Sequence, residues 1–175
     1  NILVSPYFLG IINVFYYPIY YRDLFLKEIQ KRSDDFEKIE VPNKLKQKGF
    51  MMESNITDKK KATLEIDHIA WRNNILYVIE TKIWDLKPLF EHKLTHINMD
   101  RDLKGIVDGE KYTRKDGELI VRSIPSLSLK IDYVKNNLQK WCEDHKNIKE
   151  IKGLIITKIK PLLEEYKKVR IISFN

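Results

Sequence analysis

Two short stretches hold most of the residues that could do chemistry. One is Glu65-Ile66-Asp67-His68 within Leu64 to Trp71, and the other is Glu80-Thr81-Lys82 at the end of Ile75 to Lys82. Both have the β-branched and aromatic make-up of strands. Side chains alternate along a strand, so Glu65 and Asp67 share a face of the first, and Glu80 and Lys82 share a face of the second. Arg72-Asn73-Asn74 is a tight polar turn between them. The strands should therefore form a hairpin, with those faces on one side of one sheet. Three carboxylates and one ammonium would converge at its end, among Ile66, Ile69, Val78 and Ile79. Burying such charges costs several kcal/mol unless something compensates. A divalent cation held by oxygen ligands is one compensation, and a lysine beside the carboxylates is another. An E-x-K triplet is common by chance, and a plain buried ion-pair cluster is its simplest account. Here four features coincide. Asp67 lies thirteen residues before Glu80, the strand into the triplet is apolar, a helix and strand follow, and the chain is basic.

With these features the chain resembles the PD-(D/E)XK nuclease superfamily. Asp67 in EIDHIAW and the triplet Glu80-Thr81-Lys82 in ILYVIETK carry the resemblance. It is most similar to the nuclease-related (NERD-like) domains and archaeal relatives with an E-x-D first motif. Those domains place a hairpin and a proline before the next helix, and GELIVRSIPSLSLKIDYVKNNL, with Pro125, looks similar. The likeness covers roughly Ser33 to Phe174. It implies an α/β, restriction-endonuclease-like sandwich with a central mixed sheet flanked by helices. It also implies a metal-dependent nuclease, an endonuclease acting on DNA, with RNA left open. Asp67 and Glu80 would ligate Mg2+ or Mn2+ with the Thr81 carbonyl, and Lys82 would orient the attacking water and stabilise phosphate charge. Glu65 would orient a water from outside the ligand set.

The chain departs from that pattern in three places. IWDLKP lacks a glycine after the triplet. Ser128 stands where a glutamine is usual, and Lys130 could supply a phosphate contact instead. The acidic residue of the first helix has three alternatives, Glu28, Glu37 and Glu40, of which Glu37 has the best distance to Gly49-Phe50.

The elements that must position these residues follow from periodicity. A helix should run from about Tyr21 through Arg32 with Leu24, Phe25 and Ile29 inward. Gly49-Phe50 turns into an extended segment, Phe50 to Ile56. Leu127, Ile131, Val134, Leu138 and Trp141 recur at steps of four and three, which predicts one long amphipathic helix capped by Ser126 or Ser128. Lys115-Asp116-Gly117 predicts a hairpin between Glu110–Arg114 and Glu118–Ser123, an insertion near 105–125. Strands are expected at Gly153–Thr157 and Val169–Phe174, with a short helix from Pro161 to Lys168 between them.

Composition bounds the rest. The 175 residues suffice for one domain with a real core. A single cysteine, Cys142, leaves no intramolecular disulfide and no cysteine-based zinc site, which suits a reducing, cytoplasmic setting. A net charge of +7 favours polyanions. Lys59, Lys60 and Lys61 precede the first acidic strand and, with Lys130, are candidate phosphate contacts. His92 and His96 could share a helix face but lack an obvious third ligand, and His68 points away from Asp67. Trp71, Trp84 and Trp141 more often pack than stack on bases. Residues 1–21 form an uncharged apolar segment that ends in tyrosines and is followed by basic residues, so a membrane tether or a packing segment would fit. The nuclease-like domain is then 22–175. The chain opens on Asn1 rather than Met, which points to processing or to a longer parent. A homodimer stays open. The rival reading is a non-catalytic nucleic-acid-binding or membrane-linked interaction module that retains the fold.

Overall fold

The structure is a computed structural model that describes residues 22–58, 61–83, 96–112, 122–142 and 145–174. The N-terminal apolar segment, Lys59, Lys60, Trp84, His92 and the Lys115–Gly117 turn lie outside them.

The chain enters as α1 (Arg22–Asp35), passes through a π-helical turn (Phe36–Glu40) and continues as α2 (Val41–Gln47). The expected helix is thus longer than Tyr21 to Arg32. Pro42 has no N–H to donate to residue 38 and would crowd its carbonyl in a regular helix. The wider π turn ahead of it accommodates both effects, and it turns Phe36 and Val41 inward, both 1% exposed.

Three strands follow as an antiparallel meander: β1 (Met51–Asp58), β2 (Lys61–Arg72) and β3 (Ile75–Lys82). The β2–β3 turn is built on Asn73 and Asn74, at φ 52° and 67°. Asparagine tolerates this left-handed region, which a two-residue hairpin of matching twist requires.

The path then runs through α3 (His96–Asp108), the short hairpin β4 (Glu110–Tyr112) and β5 (Arg122–Ile124), α4 (Leu127–Asn136) and α5 (Leu138–Trp141). A 3-10 turn (His145–Asn147) leads to β6 (Glu150–Thr157), β7 (Glu165–Tyr166) and β8 (Val169–Ser173). The six-stranded mixed sheet has the order β1-β2-β3-β6-β8-β7, with β3, β6 and β8 parallel. Apolar residues cover it on both faces. Leu103 and Val107 of α3 and Leu127 and Val134 of α4 pack with Ile69, Leu76, Val78 and Ile155. Phe36, Val41 and Leu45 pack with Ala70, Ile79 and Ile156 on the other. This is an α/β architecture with helices on both faces, and it explains why β3 is apolar from Ile75 to Ile79.

Two further expectations change. The segment from Pro161 to Lys168 is no helix. Tyr166 pairs with Val169 through a turn at Lys167 and Lys168, at φ 48° and 66°. The helix-like spacing of Leu162, Leu163 and Tyr166 loses to backbone pairing with β8 and to the Leu163 N–H donated to Asp100. The helix beginning at Leu127 breaks at Asn137, whose side-chain amide donates to the Tyr133 carbonyl at 2.8 Å. Asparagine competes in this way for helix backbone groups. The apolar face persists across the break, and of the two serines Ser126 is the cap, accepting from the Leu129 N–H at 3.2 Å. The hairpin expected near 105–125 is present as β4 and β5, paired from Glu110 with Ile124 to Tyr112 with Arg122, and just ahead of it stands α3, a helix that runs to Asp108. Met99, Leu103 and Val107, four apart and all buried, are the pattern that marks it. Among the described residues no helix is long and apolar enough to cross a membrane.

Candidate active site

β2 and β3 stay paired from the turn as far as His68 opposite Ile79. Past that point Asp67 would face Glu80 directly, but the carboxylate of Asp67 fills the gap instead. Its Oδ2 accepts from the Thr81 backbone N–H at 2.7 Å and from the Thr81 hydroxyl at 2.8 Å. A side chain thus replaces the ladder bond at the parting of the strands. It fixes Asp67 against the tripeptide Glu80-Thr81-Lys82.

Glu80 is 9% exposed and reaches toward α4. Its Oε1 accepts from the Lys130 ammonium at 2.6 Å, with both side chains almost wholly buried. Lys130 can reach it because α4 sits unusually close to β6. A Cβ at Gly153 would lie 3.0–3.1 Å from side-chain atoms of Val169, Ile131 and Leu127. Ile131 and Leu127 flank Lys130 on the helix, so only glycine lets that face descend far enough. Burial and the neighbouring Asp67 charge push the Glu80 carboxyl up to about 8, and Lys130 offsets part of that rise.

A third carboxylate belongs to the same field. Glu37, on the π turn, is pushed up to about 7 by burial and by Asp67, with Glu65 adding to the effect. The alternatives to it are occupied elsewhere, since Glu28 pairs with Arg32 and Glu40 with Lys158. Glu65 itself is exposed. The sheet end therefore gathers Asp67, Glu80, Glu37 and Glu65 in one electrostatic neighbourhood.

The lysines are arranged differently from the expectation. Among the described residues Lys82 forms no ion pair with Asp67 or Glu80. It is partly buried at the carboxyl end of β3, where its carbonyl accepts from the Lys158 N–H at 3.1 Å. The ammonium that meets a carboxylate is that of Lys130, which is 6% exposed rather than spread on the surface as a phosphate contact would be. No sequence signal announces that pairing, because fifty positions and a helical crossover separate the two residues. Lys61 opens β2 at the edge of the expected lysine loop.

His68 does turn away from Asp67. It is fully buried on the opposite face, with Nδ1 2.9 Å from the Ser54 hydroxyl. Burial lowers its pKa, with Asp67 opposing in part. It is packed rather than placed to ligate a metal. Trp71 is likewise a core residue. Among the described residues no three His, Cys, Asp or Glu side chains are grouped as a ready metal site. Of the four carboxylates near the sheet end, Asp67 is held by Thr81 and Glu80 by Lys130. Comparison of the chain with protein-family models, with curated proteins and with solved structures gives no match.

Proposed function

We propose that the protein is a metal-dependent nuclease that hydrolyses phosphodiester bonds in DNA as an endonuclease, on a restriction-endonuclease-like sandwich. The observation that carries this reading is the junction of Asp67 with Thr81, which sets the Asp67 carboxylate beside Glu80 where β2 and β3 part. The mixed sheet with helices on both faces supports the fold assignment. The basic chain supports a polyanionic substrate.

The donor set suits a hard cation. Asp67 and Glu80 bring carboxylate oxygens and Thr81 a carbonyl, the ligand types Mg2+ and Mn2+ prefer. The upward push on Glu80 from burial and from Asp67 is an electrostatic cost that a cation would relieve. Such an ion supplies Lewis acidity toward a phosphate oxygen and toward water. The chain's own groups do the remaining work. Lys82 acts as a positive donor toward the scissile phosphate and the attacking water. Glu37, pushed up to about 7, can take and return a proton near neutrality. Glu65, exposed beside them, orients water. The lone cysteine suits a cytoplasmic setting.

One observation favours a second reading, a non-catalytic nucleic-acid-binding module. Lys130 already satisfies the Glu80 carboxylate without any cation. A cleavage assay decides between them. Supercoiled, linear and single-stranded DNA are incubated with Mg2+, Mn2+ or EDTA. Cation-dependent cleavage that disappears in Glu80→Gln supports the nuclease. Binding to all forms with no cleavage under any condition supports the module and overturns the nuclease.

A further inference from the structure

The carboxylate that the nuclease reading assigns to a cation is held by a buried ammonium. We infer that Lys130 is the resident counter-ion of Glu80, that a divalent cation must displace it to bind, and that Lys130 thereby sets the cation concentration at which the site fills. The inference rests on the nuclease reading and adds regulation to it.

Three observations carry it. The contact is short and enclosed: 2.6 Å between Nζ and Oε1, with side-chain exposures of 8% and 12%. A buried carboxylate and a buried ammonium each lose their hydration, so removing either partner leaves the other uncompensated. The ion pair is therefore how the cation-free protein keeps an ionised Glu80 inside. Second, the ammonium comes from a different element. Lys130 lies one turn into α4, its N–H donating to the Ser126 carbonyl, and α4 is seated against β6 at Gly153. The helix backbone is fixed, while the four-carbon stem of lysine can swing its charge away without moving the helix. Third, Asp67 comes up to Glu80 where β2 and β3 part, its carboxylate pinned by the Thr81 N–H and hydroxyl. A dication between Asp67 and Glu80 would neutralise both carboxylates, but it would then stand next to the Lys130 charge. Repulsion at that range in a partly buried site is large, so cation and ammonium exclude one another.

The contact also differs from an ordinary structural ion pair in its consequence. A purely structural pair would leave cation affinity unchanged when its positive member is neutralised. A resident counter-ion makes affinity rise. By linkage, whatever draws the ammonium away from Glu80 also tightens cation binding.

The test measures Mn2+ binding by isothermal titration calorimetry at one fixed pH for the wild type, Lys130→Gln, Lys130→Arg and Glu80→Gln. Glutamine keeps a hydrogen bond to Glu80 and removes the charge, so Mn2+ should bind on the order of tenfold tighter or more. Arginine keeps the charge, so its affinity should stay at or below the wild-type level. Glu80→Gln should bind weakly or not at all. A direct readout needs no variant to fold. The side-chain NMR signals of Lys130 in the wild type are followed as Mg2+ is added, and they should shift with the same midpoint as binding. Equal or weaker Mn2+ affinity in Lys130→Gln overturns the exchange, as does a Lys130 signal that stays fixed while Mg2+ saturates. With Glu80→Gln still abolishing binding, either result leaves the metal site itself intact. If no protein in the series binds Mn2+, the metal site and the exchange fall together.

Discussion

The Oδ2 atom of Asp67 accepts two hydrogen bonds from one residue, Thr81, through its backbone N–H at 2.7 Å and its hydroxyl at 2.8 Å. The aspartate thereby takes over the place of a strand-to-strand bond at the point where β2 and β3 separate. A residue held in two directions has little freedom left, which is what a ligand or catalytic group needs. Thr81→Val removes one of the two donors and keeps the shape. It should cost about 1 kcal/mol of stability, read by urea unfolding, and should weaken Mn2+ binding without abolishing it. Unchanged metal binding in that variant would show that the backbone bond alone positions Asp67.

Catalysis makes a sharper demand. Asp67→Ala, Glu80→Ala and Lys82→Ala should each lower cation-dependent DNA cleavage by about a hundredfold or more, on the scale seen when one preorganised charged or donor group is removed. Circular dichroism checks that each variant is folded. A folded Glu80→Ala protein with undiminished cleavage would remove the site from consideration.

Stability should fall as pH rises in the absence of metal. Glu80 and Glu37 are pushed up to about 8 and about 7 from an ordinary value of 4.5. A carboxyl whose folded pKa is raised favours the folded state when protonated. The contribution is therefore complete below about pH 4.5 and is lost as pH climbs through 7 and 8. Thermal melts in EDTA from about pH 5 to 9 should show a declining Tm. Glu37→Gln and Glu80→Gln should each flatten the decline, and saturating Mg2+ should oppose it at the alkaline end. A Tm that rises steadily over that range would contradict the electrostatics described for the sheet end.

Gly153 tests the packing that seats Lys130 against Glu80. A methyl there meets three side-chain atoms at 3.0–3.1 Å, so Gly153→Ala should destabilise by about 1–3 kcal/mol. By lifting α4 it should also stretch the Lys130–Glu80 contact. Denaturant midpoints report the first effect. A neutral or stabilising result would mean that Leu127 and Ile131 simply turn aside.

The basic loop is tested by salt. Changing Lys59, Lys60 and Lys61 to Gln should lower the slope of log K against log[salt] for DNA by about 0.7–0.9 for each lysine–phosphate interaction removed. Binding should weaken alike on every sequence, because lysine meets phosphate rather than reading bases. An unchanged slope would mark these lysines as solvated charge.

Much of the fold was legible because its signals are local. The apolar run Ile75–Ile79, the Asn73-Asn74 turn and the Ser126 cap each act within a few residues, and each stands where the sequence places it. The helix expected over Pro161–Lys168 failed for the opposite reason. Its spacing was helical, but pairing with β8 and the Leu163 N–H donated to Asp100, sixty-three residues away, outweigh a weak local preference. The candidate site divides in the same way. Strand alternation and a short turn are enough to bring Asp67 beside Glu80-Thr81-Lys82, since fourteen positions separate Asp67 from Thr81. Which ammonium meets Glu80 is decided by how closely α4 settles on Gly153, and which glutamate joins Asp67 by a π turn ahead of Pro42. Both depend on packing between distant segments, where a small shift of a helix chooses Lys130 over Lys82 and no residue pattern records the choice.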